Sequence, residues 1–271
     1  FFDLEKQDKS LHKSILRDIK KLFKRGDFIL GKEVLKFEKN FAKFCESNYA
    51  ISCANGTDAL TIALKSLNLE KNSEVIIPAM TYCSTAFSVI NANLKPVLVD
   101  TEPFKPTIDA SKIKKKITSK TKVIMPVHLY GSAANLNAIK KIIKKNSIFL
   151  IDDCAQAHGT IDDSNTTYNK KIGSTADISC FSLYPGKNLG AYGDAGIITT
   201  NNKKFYNMIK SLRNLGSTKK FIHDHIGVNS RLDTVQAIIL NKKLKYLKKL
   251  NLKRRKIANL YNKNILNYSE M

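Results

Sequence analysis

Short apolar runs alternate along the chain with longer stretches of helical period. The runs YAISCA, EVIIPA, PVLVD, KVIMPVH, SIFLIDD, DISCFS and AGIITT are rich in Val, Ile and Phe, the pattern of buried strands. Between them, TDALTIALKSLNL and NLNAIKKIIKK return apolar residues every three or four positions, the pattern of one-faced helices. Strands interleaved with helices predict an α/β fold with a mostly parallel seven-stranded sheet flanked by helices. An amphipathic helix is predicted over 11–24. From Asp233 onward there is neither Gly nor Pro, and Leu240, Leu244, Leu247 and Leu250 recur at helical spacing, so one long helix is predicted there. The predicted organisation is a large domain over 1–240 and a connecting helix over 241–271. That helix is expected to open a small C-terminal domain largely missing from the chain.

Composition narrows the class. The 271 residues are 43% hydrophobic and 25% charged, the balance of a globular protein. No apolar run reaches membrane-spanning length, and the start has no signal-peptide pattern. A cytoplasmic location is expected, with no membrane partner. The net charge of +23 raises the question of nucleic acid. Lysine outnumbers arginine 40 to 6, although Arg is the better phosphate fork. The lysines are scattered, and Asn and Ile are also plentiful, a mixture that A/T-rich codons produce. No nucleic-acid partner is expected; the field favours a phosphorylated small substrate. The basic stretch KKLKYLKKLNLKRRK reads as a solvated helix face. Five cysteines, with no C-x-x-C pair, read as reduced thiols, mostly buried. The histidines lack zinc-ligand spacing, and no metal is expected.

In a parallel sheet, ligands sit at the carboxyl ends of the strands, so the residues there carry the chemistry. After YAISCA, Asn55, Gly56 and Thr57 open a helix whose free amides suit a phosphate, or form an ordinary capped turn. After EVIIPA comes Tyr82, either a plate for a planar ring or a packing residue. After SIFLI come Asp152 and Asp153, two acids that are costly at the end of an apolar strand unless a cation meets them. A protonated pyridine nitrogen would serve; a ribose is the alternative, but no G-x-G-x-x-G supports it. His158 reads as a base or as a structural histidine. Last comes CFSLYPGKNLGAYGDAG. Ser182 ends the strand, Pro185 and Gly186 turn the chain, and Lys187 follows among glycines that let the backbone pass close to something. Asn188 stands where a Walker A motif needs Ser or Thr. A phosphate cradle, an aromatic plate, an acid, a hydroxyl and a lysine are together the parts that pyridoxal phosphate requires.

The blocks ANGTDAL, IIPAMTYCST, MPVHLYG, IDDCAQAHG, FSLYPGKNLGAYGDAG and GVNSRLDTVQAIIL occur in the order found in the DegT/DnrJ family of pyridoxal-phosphate-dependent sugar aminotransferases, which the chain resembles over nearly its whole length. The resemblance implies a fold type I aminotransferase and a homodimer with shared active sites. It makes Lys187 the Schiff-base lysine and Asp153 the partner of the pyridine nitrogen. Gln156 lies beside the ring and Tyr82 stacks on it. Gly56, Thr57 and Ser182 hold the phosphate. Asn229 reaches the phosphate of the other subunit's cofactor, with Arg231 supporting that interface. Asp152 departs from the family's usual Glu. Lys187 sets the chain apart from dehydratase relatives, which carry His there. The implied reaction moves an amine from glutamate to a nucleoside-diphosphate keto-deoxysugar. The Gln of DDCAQAHG resembles the 3-keto branch more than the 4-keto branch. The implied setting is deoxyamino sugar synthesis for cell-surface polysaccharide. A 4-keto-6-deoxysugar enzyme (dTDP, UDP or GDP), a cyclitol enzyme and a catalytically silent regulatory or polyanion-binding protein remain the alternatives.

Overall fold

In the computed structural model, residues 4–144, 146–162, 164 and 170–265 are described. Two helices come first, α1 (Leu4–Arg25) and α2 (Lys32–Cys45), followed by β1 (Tyr49–Cys53), α3 (Gly56–Ser66), β2 (Glu74–Pro78), α4 (Cys83–Asn91) and β3 (Lys95–Val99). Next are α5 (Ala110–Ile113), β4 (Thr121–Ile124), α6 (Leu136–Ile143), β5 (Phe149–Asp153) and the small ribbon β6 (Ile161–Asp162) with β7 (Lys170–Lys171). The rest is β8 (Ile178–Ser182), β9 (Gly196–Thr200), α7 (Lys203–Leu212), the hairpin β10 (Ser217–Lys219) with β11 (Ile222–His223), and α8 (Thr234–Ile265).

The main sheet has seven strands in the order β1-β9-β8-β5-β4-β2-β3. They are the seven predicted runs. Strands β3, β2, β4, β5 and β8 are parallel, while β9 runs antiparallel to both β8 and β1. The connection from β8 to β9, which carries Lys187, contains no crossover helix, so β9 returns beside β8 in the opposite direction.

Side chains alternate between two buried layers, as a sheet covered on both faces requires. Ile76 of β2, Phe181 of β8 and Ile197 of β9 face Phe37 and Phe41 of α2, Leu136 of α6 and Leu240 of α8. Their neighbours Val75, Ile77, Cys180 and Ile198 face Leu60 and Leu64 of α3, Val89 of α4 and Ile209 of α7. Asparagines cap three of these helices: Asn55, Asn135 and Asn202 accept the amide hydrogens of Asp58, Ala138 and Lys204.

One difference from the sequence reading concerns a helix. α1 begins at Leu4 rather than near residue 11, because its first turns are held by a buried charge. Asp8 accepts a hydrogen bond from Lys243 of α8 at 2.8 Å, with both side chains buried. α8 agrees with the predicted long helix: it starts at Thr234 and runs unbroken for about 48 Å. Its first half, including Ala237, Leu240 and Leu247, is core; Leu260 and Tyr261 near its end are exposed. Residues 266–271 lie outside the described residues.

Candidate active site

The strand ends converge as the parallel sheet demands. Asn55 closes the first turn of α3, and Gly56 packs against the end of β8: a Cβ on Gly56 would lie 2.7 Å from Ser182 Cβ. Only glycine lets the start of α3 come this close to Ser182. Thr57 Oγ1 donates to Ser84 Oγ at 2.8 Å, joining the first turns of α3 and α4. The other lysine-loop glycines serve the protein's own chain. A Cβ on Gly196 would lie 2.3 Å from Asn55 O, and one on Gly190 would lie 2.2 Å from Pro185 O.

Asp153, at the end of β5, is only 4% exposed. Thr85 Oγ1 donates to its Oδ2 at 2.8 Å, and Ala155 N donates to its Oδ1 at 3.1 Å. Burial pushes this carboxyl up; the two hydrogen bonds and the Lys187 charge pull against it. Lys187 is half-buried at the cleft. Loss of solvent lowers its amine, and the charge of Asp153 opposes that shift, so acid and amine act on each other across the site. Tyr82 sits at the N-cap of α4 and is 72% exposed, so packing against the core does not account for it. Gln156 Oε1 accepts from Tyr130 N at 2.7 Å. His158 is 2% exposed, with its ring 5.5 Å from that of Phe181, and burial pushes it down to about 4. A ring so deeply buried and so hard to protonate is structural rather than a base near neutral pH.

A cleft of about 1000 Å³ opens over Lys187, Gln156 and His158, with Tyr130 at one side and Asn251 and Arg255 of α8 at another. Asn229 stands apart from it, exposed, on a short bridge to Asn214. The next residue anchors this loop to the start of α3. Ser230 Oγ donates to Asp58 Oδ2 at 2.7 Å and accepts from Ala54 N at 3.1 Å. Arg231 Nη1 donates to Asn214 Oδ1 at 3.2 Å.

Sequence reasoning passed over Thr85, Ser230 and Asn251, and over the group behind Asp153. There, His128, Asp152 and Cys154 are buried with their polar atoms within 4.8 Å of one another. His128 Nδ1 accepts from Ala134 N at 3.1 Å, so in this arrangement Nε2 carries the hydrogen and is turned toward Asp152 Oδ1, 3.5 Å away. A ring nitrogen that carries a hydrogen is not a metal ligand, and neither Nε2 nor either Asp152 oxygen has a hydrogen-bond partner among the described residues.

The profile of the DegT/DnrJ/EryC1/StrS aminotransferase family matches residues 9–271. The chain belongs to this family. It is 44% identical, over 98% of its length, to a dTDP-3-amino-3,6-dideoxy-alpha-D-galactopyranose transaminase of Aneurinibacillus thermoaerophilus, and it spans 72% of that relative. Among solved structures, a family aminotransferase from Brucella abortus superposes with a TM-score of 0.92 at 32% identity, covering 98% of this chain and 72% of its own. NtdA from Bacillus subtilis, solved with bound cofactor PMP, superposes at 0.81 with 32% identity, covering 93% of this chain and 58% of its own. The fold is therefore that of a fold type I aminotransferase, and the enzymes of this family depend on pyridoxal phosphate.

The residues present fit that cofactor. Gly56 and Thr57 open α3, where first-turn amides have no partner within the helix, and Ser182 lies against Gly56. Asp153 is a buried acid, and Lys187 is a half-buried amine in its field.

Proposed function

We propose that this protein transfers an amino group from glutamate to the 3-keto carbon of a nucleoside-diphosphate deoxysugar. The observation that carries the reading is a half-buried Lys187 at the cleft, in the field of buried Asp153, in a chain 44% identical to a 3-amino-sugar transaminase. Pyridoxal phosphate, when bound, supplies an aldehyde and a ring that accepts electrons.

The chain's own residues then have distinct tasks. Amides of Gly56 and Thr57, with Ser182 Oγ, hold the phosphate. Asp153, oriented by Thr85 and Ala155, keeps a proton on the ring nitrogen. Tyr82 covers one face of the ring and Gln156 lies at its edge. Lys187 Nζ, unprotonated more readily than an exposed lysine, takes the proton from the α-carbon of the amino donor and later delivers it.

The working unit is a cytoplasmic homodimer, in which Asn229 reaches the partner's cofactor phosphate. Two features support this. Asn229 is exposed and does not line the cleft over Lys187, and the nearby β10–β11 region exposes Phe221 (85%) and Ile226 (98%), an apolar surface that a second copy would cover. The product class belongs to deoxyamino sugar synthesis for cell-surface polysaccharide.

A panel of nucleoside-diphosphate keto-sugars, each incubated with glutamate, tests the substrate. Turnover is expected fastest with a 3-keto-6-deoxyhexose. Faster turnover of a 4-keto sugar would replace this reading with the 4-keto one. No turnover with any sugar, and no cofactor retained, would favour a silent protein.

A further inference from the structure

α8 grips the lysine loop at separate points. Near the start of the helix, Gln236 pairs with the main chain of Tyr192 in both directions. Tyr192 N donates to Gln236 Oε1 at 2.8 Å, and Gln236 Nε2 donates to Tyr192 O at 3.2 Å. Further on, Lys243, already paired with Asp8, lies 5.2 Å from the centre of the Tyr192 ring.

The third point is Asn251, which uses both halves of its amide. Asn188 Nδ2 donates to Asn251 Oδ1 at 3.1 Å, and Asn251 Nδ2 donates to His158 O at 2.7 Å. Asn188 follows Lys187 directly, and His158 belongs to the loop that leaves Asp153. One side chain therefore joins the loop of the amine to the loop of the acid. The seat is tight: a Cβ on Gly159 would lie 3.1 Å from Asn251 Nδ2. Gln236 and Asn251 are about 22 Å apart along the helix, so the loop is tied at two separate places, at Asn188 directly after Lys187 and again at Tyr192.

The same helix supplies a matched comparison. Asn241 also uses both halves of its amide, accepting from Asn40 Nδ2 at 3.0 Å and donating to Glu33 O and to Ala237 O, each at 2.9 Å. Asn40 and Glu33 lie on α2, away from the cleft. Asn241 is purely a tie between helices; Asn251 is a tie between the two halves of the chemistry.

We propose that Asn251 is a positioning residue for Lys187: by holding Asn188 and the His158 carbonyl together against α8, it fixes where the amine stands relative to Asp153. The proposal rests on the reading of Lys187 as the cofactor-linked amine.

The test compares wild type with Asn251→Leu, Asn188→Ala and Asn241→Leu, each loaded with pyridoxal phosphate. Borohydride labelling, pH titration of the visible absorbance band, steady-state kinetics and thermal melting are measured on all four. Asn251→Leu and Asn188→Ala are expected to remain folded and to label at Lys187. Their absorbance midpoint should move by about half a pH unit or more. Their kcat should fall on the order of 100-fold, the scale of a misplacement of about 1 Å. Their KM for the amino donor should change by less than about threefold, since binding is not what they disturb. Asn241→Leu should melt lower and leave midpoint and kcat within about twofold. Unchanged midpoint and kcat in both cleft variants would overturn the proposal, as would an equal change in Asn241→Leu. If Asn251→Leu does not fold, Asn188→Ala removes the same contact from the loop side and decides alone. Wild-type protein unlabelled at Lys187 would sink the site reading and the proposal with it, a failure distinct from silent variants of a labelled enzyme.

Discussion

Three residues give the sharpest expectations. Because loss of solvent lowers the Lys187 amine, kcat/KM should climb with pH and flatten below the range of an ordinary exposed lysine; a pH–rate profile checks this. A profile that keeps rising through the usual lysine range would oppose it. Asp153→Asn removes the charge that holds the ring proton and should lower kcat on the order of 100-fold or more, with the fold intact by circular dichroism. His158 bears on stability. Its folded pKa of about 4 lies below the usual 6.5, so between those values the unfolded chain binds the extra proton. Stability is therefore full above pH 6.5 and is lost as pH falls toward 4, by roughly 3 kcal/mol from this group. Melting curves of wild type and His158→Gln over that window should differ in slope, with the variant the flatter. The positions of Ser182, Asp153 and Lys187 at or just after strand ends were legible in the sequence, because dense apolar runs mark where each strand stops; Gly56 read equally as part of a capped turn. Tyr82 was ambiguous, and only its exposure separates a plate from a packing residue. Asn251 was not legible, since its partners lie 63 and 93 residues away and an asparagine on a basic helix carries no local signal.

Among the elements, the strands were read correctly because a sheet buried on both faces makes each one a dense apolar run. The direction of β9 was hidden, because direction depends on the connection rather than on the strand. The early start of α1 was hidden too: apolar periodicity cannot register a turn held by Asp8 against Lys243. A second buried charge ties α2, β1 and α7 together. Arg213 donates to Glu38, and also to Ser52 O at 2.6 Å, while Ser52 N and Oγ both donate to Glu38. Glu38→Gln leaves the arginine buried without its counter-charge and should cost about 3–5 kcal/mol, read from urea denaturation. A cost within experimental error would mean that water reaches this corner.

At the scale of the whole molecule, the excess of lysine surrounds one lysine that is different. Of 40 such side chains, Lys187 is placed by a strand end, a proline–glycine turn and a splinting helix at the edge of a cleft, within the field of a buried acid. The net charge of +23 is spread over the chain and should assist encounter with an anionic nucleotide sugar, so kcat/KM should fall as salt rises. The central claim is narrower, and one chemical measurement reaches it. The protein is loaded with pyridoxal phosphate, reduced with borohydride and digested, and the pyridoxyl mass is located by peptide sequencing. That mass is expected on the peptide carrying Lys187 and is expected to disappear in Lys187→Ala. The mark on another lysine, with Lys187 unmodified, would contradict it.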